Sequence, residues 1–177
     1  MLDKIKSKIV DKKLRKREDK RNIYSLSFED MKNIALVYQL PEDKDDLMLL
    51  RKYANLLKEH KKSPFSMVFI NEKEIPVNYT AKIDVEYFSL QDLDSLKIAK
   101  SRSLINFIDK EYDLLIDCSV ENNSVIENIV RQSMSKLKIG PAHLDYSASF
   151  DIQIIIEKDK NLRYLLKNID HYITLLK

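Results

Sequence analysis

The sequence predicts one three-layer α/β domain built on a mainly parallel sheet of about six strands. Three observations predict it. Short apolar runs of the kind that form strands buried on both faces alternate with stripes at helical spacing. Residues 112–140, Y-D-L-L-I-D-C-S-V-E-N-N-S-V-I-E-N-I-V-R-Q-S-M-S-K-L-K-I-G, read as strand, helix, strand, which is a βαβ unit. With 177 residues, 44% of them hydrophobic, the chain suits a single domain with a full core.

The elements follow in order. Residues 1–22 carry ten basic and four acidic side chains, a local charge of +6. The chain's net +3 therefore leaves −3 elsewhere. Leu2, Ile5 and Ile9 share one helical face, so the segment reads as a basic N-terminal arm or amphipathic helix preceding a domain over 23–177. Its cations offer a surface to nucleic acid, acidic lipid or an acidic partner. No aromatic residue interrupts the run, and the favoured reading is a solvated helix that caps the domain. Asn33–Leu40 is the first strand, ended by Pro41. Leu47, Leu50, Tyr53, Ala54 and Leu57 define a helix with acids in its first turn and His60, Lys61 and Lys62 in its last. Pro64–Ile70 is the second strand and Ile83–Phe88 the third, with an irregular stretch between them. A helix over about 100–110 buries Leu104, Phe107 and Ile108.

The central unit comes next. Asp113–Cys118 is the fourth strand. Asn122, Asn123 and Ser124 start a helix, because their side chains accept from N–H groups that the first turn leaves unpaired. Lys136–Ile139 is the fifth strand, stopped by Gly140-Pro141. Phe150–Ile156 is the sixth, and Leu162, Leu165, Leu166, Ile169, Ile173 and Leu176 make a final helical stripe over 161–177, flanked by Tyr164 and Tyr172. Tyr38, Tyr53, Tyr112 and Tyr172 fit the edges of a core.

Composition excludes several chemistries. The single glycine, Gly140, stands where average usage gives roughly twelve. Glycine-rich phosphate loops and the G-x-S-x-G elbow need more than one, so neither exists here. His60, His143 and His171 have no partner at metal-ligand spacing, and no metal or cofactor is expected. His143 with Asp145 is the most site-like pair, read as a solvated loop. Cys118, alone in mid-strand, reads as a small buried hydrophobe. A lone cysteine, a charged N-terminus and no apolar run near ~20 residues point to a cytoplasmic protein without a membrane span.

Y-D-L-L-I-D-C-S, K-L-K-I-G, N-I-A-L-V-Y, F-I-D-K-E-Y-D-L-L-I-D and the ending I-D-H-Y-I-T-L-L resemble an uncharacterised family of small bacterial α/β proteins, a domain of unknown function. The resemblance runs over nearly the whole chain and brings no activity with it. The central unit is also similar to about thirty residues of the N-terminal domain of heptosyltransferase-type glycosyltransferases. There a Y-D-L-V-I-D-type strand, a helix and a K-R-I-G-type strand follow one another. That resemblance implies a Rossmann-like sheet of order 3-2-1-4-5-6 with helices on both faces. It implies no catalytic residues, because the glycine-containing loop of those enzymes is replaced by Gln39-Leu40-Pro41-Glu42-Asp43.

In this order, the crevice where ligands bind open α/β sheets lies beyond the first and fourth strands. Gln39, Pro41 and Glu42 would line one side, and Ser119, Glu121, Asn122 and Asn123 the other. The ligand-binding candidates are Gln39, Glu42, Asp117, Ser119, Asn122 and Asn123. Asn122 and Asn123 suit a small polar ligand, or they simply cap the helix. Asp117, on a buried strand, must be paired, hydrogen-bonded or protonated. No residue is assigned a catalytic role. The leading expectation is a non-catalytic protein acting through protein contacts. The alternative is a degenerate nucleotide- or sugar-binding domain related to glycosyltransferase N-terminal domains. The sixth strand, D-I-Q-I-I-I, carries little charge between Asp151 and Glu157. An edge strand without charge needs cover or pairing, so a homodimer through this strand and the last helix is expected.

Overall fold

The structure, a computed structural model, describes residues 2–24, 26–156 and 161–177, with side chains from Lys8 onward except Ile9. The side chains of Leu2, Ile5 and Ile9, which carry the expected apolar face, and Glu157, just past the expected sixth strand, lie outside what the structure describes.

The elements are α1 (Leu2–Glu18), β1 (Asn33–Gln39), α2 (Lys44–Glu59), β2 (Ser63–Phe69), β3 (Val85–Phe88), α3 (Arg102–Asp109), β4 (Leu114–Asp117), α4 (Ser124–Gln132), β5 (Leu137–Pro141), β6 (Ile152–Ile154) and α5 (Leu162–Thr174). The six strands form one sheet of order β3-β2-β1-β4-β5-β6, and every pairing between them is parallel. The fold is the α/β Rossmann-like sheet the sequence implied.

Alternation along β1 builds the three layers. Ile34, Leu36 and Tyr38 face one way and pack with α2 and α5; Ala35 and Val37 face the other way and pack with α3 and α4. Leu115 of β4 is fully buried in the second layer. Such strands have no polar face, which is why the runs lack polar alternation. α1 adds a further layer by lying on α4, with Leu14 1% exposed.

Three strands differ from the sequence reading by two residues or more at an end. β5 does not stop at Gly140-Pro141 but runs through both, pairing Pro141 with Ile154. The ladder to β4 has ended at Ile139, so the absent N–H of Pro141 faces no partner strand and costs nothing. β6 keeps only three of the expected seven residues. Ser147–Ser149 form a 3-10 turn before it, and Ile155 beyond it turns to solvent. β3 starts at Val85, and Ile83 is fully exposed. Tyr38, Tyr53 and Tyr112 are buried as expected, whereas Tyr172 lies on the outer side of α5. Leu176, past the end of α5, packs against the chain's own core.

Candidate functional site

The switch point between β1 and β4 opens into a cavity of about 430 Å³. Gln39, Glu42, Ser119, Asn122 and Asn123 line it, together with Pro41 and Glu121. Asp117 is not among its lining residues. It closes β4 on the opposite face of the sheet, under the ring of Tyr146.

The amide side chains of this crevice are bonded within the fold, whereas Ser119 Oγ is buried and has no partner among the described residues. Asn123 is the helix-start residue of the three candidates: its Oδ1 accepts from the N–H groups of Val125 (2.9 Å) and Ile126 (3.2 Å). Its Nδ2 donates to Gln39 Oε1 at 2.5 Å, joining the two walls. Asn122 Oδ1 accepts from the Asp145 N–H at 2.9 Å, and His143 Nε2 donates to the Val120 carbonyl at 2.9 Å. The pair His143 and Asp145 thus holds the loop to the crevice wall. Asp43 caps α2 by accepting from the Asp45 N–H.

The rim is acidic. Glu42, Asp43, Asp46 and Glu121 line the cavity, and among the described residues no lysine or arginine does. Burial, reinforced by Asp43 and Asp45, raises the Asp46 pKa. A phosphate entering here would meet carboxylates and a helix N-terminus already occupied by its own cap.

Asp117 is fully buried. Its Oδ1 accepts from the Ser119 N–H at 2.8 Å and its Oδ2 from the Tyr146 hydroxyl at 2.7 Å. Burial pushes its pKa up to about 6, against the hydrogen bonds of Ser119 and Tyr146 that favour the anion. Burial likewise pushes the Tyr146 hydroxyl and the Cys118 thiol up, so neither is an anion at neutral pH.

A second cavity, of about 560 Å³, lies between α1, α4 and the β5–β6 connection. Sequence reading missed it. Lys138, the second residue of β5, is 1% exposed and donates from Nζ to the Val130 carbonyl at 2.6 Å. Burial first, and then the charge of Arg21, push its pKa down to about 7. Arg21 pairs with Asp151. Arg131 binds Asp11 (2.7 Å), Glu18 (3.2 Å) and Glu127 (3.4 Å), tying α1 to α4. The signal in the sequence was a lysine inside an apolar strand, L-K-I-G-P. Among the described residues no three His, Cys, Asp or Glu side chains gather to hold a metal ion, and no helix is long and apolar enough to cross a membrane.

Comparison with known proteins bears on the fold. A family model described as "Family of unknown function (DUF6913)" matches residues 3–176. Among solved structures, the glycosyl transferase family 9 protein from Veillonella parvula DSM 2008 is similar, with a TM-score of 0.51 and 14% sequence identity. The match covers 88% of this chain and 44% of that one, so the chain spans about half the transferase's length. At this identity the likeness shows the fold alone. No curated protein matches.

Proposed function

The chain belongs to this family of unknown function, DUF6913, and from that premise we propose that it is a non-catalytic cytoplasmic α/β protein that acts through contact with a partner protein. One observation carries the reading: the three amide side chains of the switch point, Gln39, Asn122 and Asn123, are already bonded within the fold. Asn123 caps α4 and holds Gln39, and Asn122 holds the 143–145 loop. The acidic rim opposes the alternative of a nucleotide or nucleotide-sugar site, since a diphosphate needs cations or open N–H groups. The buried lone Cys118 supports a reducing compartment.

The contact face we favour is the outer side of α5. Tyr164, Tyr172 and Leu175 lie on one side of that helix and are exposed, and Ile155 is exposed beside β6. A second copy docked here across a two-fold axis covers this surface and pairs the edge strand. Two measurements test the proposal. A thermal-shift panel of nucleotides and nucleotide sugars is expected to give no rise in melting temperature. A reproducible rise that Asn123→Ala removes overturns it. Light scattering at micromolar concentration is expected to give a dimer, and Leu175→Asp to shift it toward monomer.

A further inference from the structure

We propose that the cavity between α1 and the β5–β6 connection binds a small oxyanion-bearing molecule, phosphate or carboxylate, with Arg21 and Lys138 as its anion donors. No part of the partner-contact reading uses this site.

The first ground is an account of donors and acceptors. The side chain of Arg21 is 7% exposed. One of its amino groups binds Asp151, while Nη1 is buried and, among the described residues, has no acceptor. A lysine ammonium has three donors. Lys138 Nζ makes one hydrogen bond, to Val130, and has no carboxylate partner among the described residues. Two buried cationic side chains therefore line one cavity with donors to spare.

The carboxylates of the cavity do not fill that need. Glu18 accepts from Arg131 and Ser149, and Glu127 from Arg131. Asp151 accepts from Arg21 on one oxygen and from the backbone N–H of Lys138 on the other. Asp19 and Asp145 stand exposed at the mouth. The internal acids each accept from a neighbour, and Arg21 and Lys138 both belong to the cavity wall.

The second ground is the repulsion between the donors. Arg21 is near enough to Lys138 for its charge to depress the lysine. An anion accepting from both relieves the repulsion and satisfies Nη1 at once. At about 560 Å³ the cavity exceeds a bare ion and suits a small molecule. Ile23, Ala148 and the Tyr146 ring give it an apolar wall.

The chemistry predicts a pH dependence. Lys138 is cationic below about pH 7 and neutral above it, so the anion binds more tightly on the acid side. The charges acting on Lys138 are those of Arg17 and Glu18 from α1, Arg21 after it, and Asp151 from the β5–β6 connection, and the cavity is lined further by Arg15, Asp19, Glu127, Arg131, Asp145 and Tyr146.

The test is calorimetric titration of the full chain with sulfate and, separately, with acetate, each against chloride at equal ionic strength. Both anions keep a fixed charge between about pH 6 and pH 8.5, so any pH effect belongs to the protein. Saturable binding is expected at the lower pH, weaker by about tenfold or more at the higher. Arg21→Gln is expected to weaken it about tenfold at the lower pH, where Lys138 is cationic with or without Arg21, and Lys138→Met to remove the pH dependence. Preference for sulfate assigns a phosphate-type ligand; preference for acetate, a carboxylate. The absence of saturable binding beyond chloride, or binding that Arg21→Gln leaves within about twofold, overturns the proposal. Arg21 lies outside the helices and strands, so its variant decides the matter if Lys138→Met fails to fold. Asn123→Ala is expected to leave sulfate binding unchanged. A nucleotide-sugar signal lost in Asn123→Ala and kept in Arg21→Gln refutes the partner-contact reading and not this one.

Discussion

Gly140→Ala tests how tightly the α4 side of the sheet is packed. A Cβ at residue 140 would lie 2.3 Å from Cζ of Phe150, and 2.5 and 2.7 Å from its two Cε atoms. The chain has no glycine at positive φ, so this glycine serves room and not backbone freedom. Phe150 cannot swing clear at low cost. It is buried, its ring lies 5.7 Å from that of Tyr146, and its backbone N–H is held by the Ser147 carbonyl. Overpacking of this kind costs about 1–3 kcal/mol. For a chain of this length that lowers the melting temperature by roughly 2–12 °C. Urea unfolding followed by circular dichroism measures the loss. Phe150→Leu removes the ring that the new methyl strikes. The double variant is therefore expected to recover about 1 kcal/mol or more relative to the sum of the single losses. A loss below about 0.5 kcal/mol for Gly140→Ala, or strict additivity in the double variant, refutes the packing argument.

Leu115→Ala, at the buried centre of β4, is expected to cost roughly 2–5 kcal/mol in the same unfolding assay; a loss under about 1 kcal/mol contradicts burial on that face. Asp117 is held near 6, above the ordinary carboxylate value of about 3.9, so the folded state binds the extra proton in that window. Stability from this group is present below about pH 4 and falls, by something on the order of 3 kcal/mol, as pH rises through 6. Tyr146→Phe removes a hydrogen bond that favours the anion, so the decline is expected to extend above pH 6, and urea midpoints across pH read it out. Leu14→Ala is expected to loosen α1 from α4, seen as faster tryptic cleavage at Lys12, Lys13 and Lys16 with the rest of the chain still protected.

The sheet was legible because β1, β4 and β5 are apolar on both faces, and that pattern has few other uses. The Asn123 cap was legible because it depends on neighbours in sequence. Limits set by distant partners were not. Gly140-Pro141 looks like a stop, yet both residues stay in β5 because β4 has already ended beside them. Ile83 looks like strand and stands in solvent, because the ladder to β2 begins only at Val85. Of the crevice residues, Gln39 and Asn123 were placed correctly on facing walls, but no spacing reveals that they bond to each other. Asp117 was grouped with them by position along β4, and its side chain points to the other face. The Arg21–Lys138 cavity escaped because it depends on α1 folding back over α4, a contact between residues more than a hundred positions apart.

The docking of α1 sorts its charges by side. Asp11 and Glu18, two of its few acids, turn inward to Arg131. Lys8, Lys12 and Lys16 are exposed and fall at four-residue steps, about 6 Å apart along the axis. That spacing is shorter than the screening length of about 10 Å at ordinary ionic strength, so their potentials add into one field. A free basic tail would have to give up conformational entropy to present such a row to an anion. Here the row is already ordered, because Asp11, Leu14 and Glu18 hold the helix to α4.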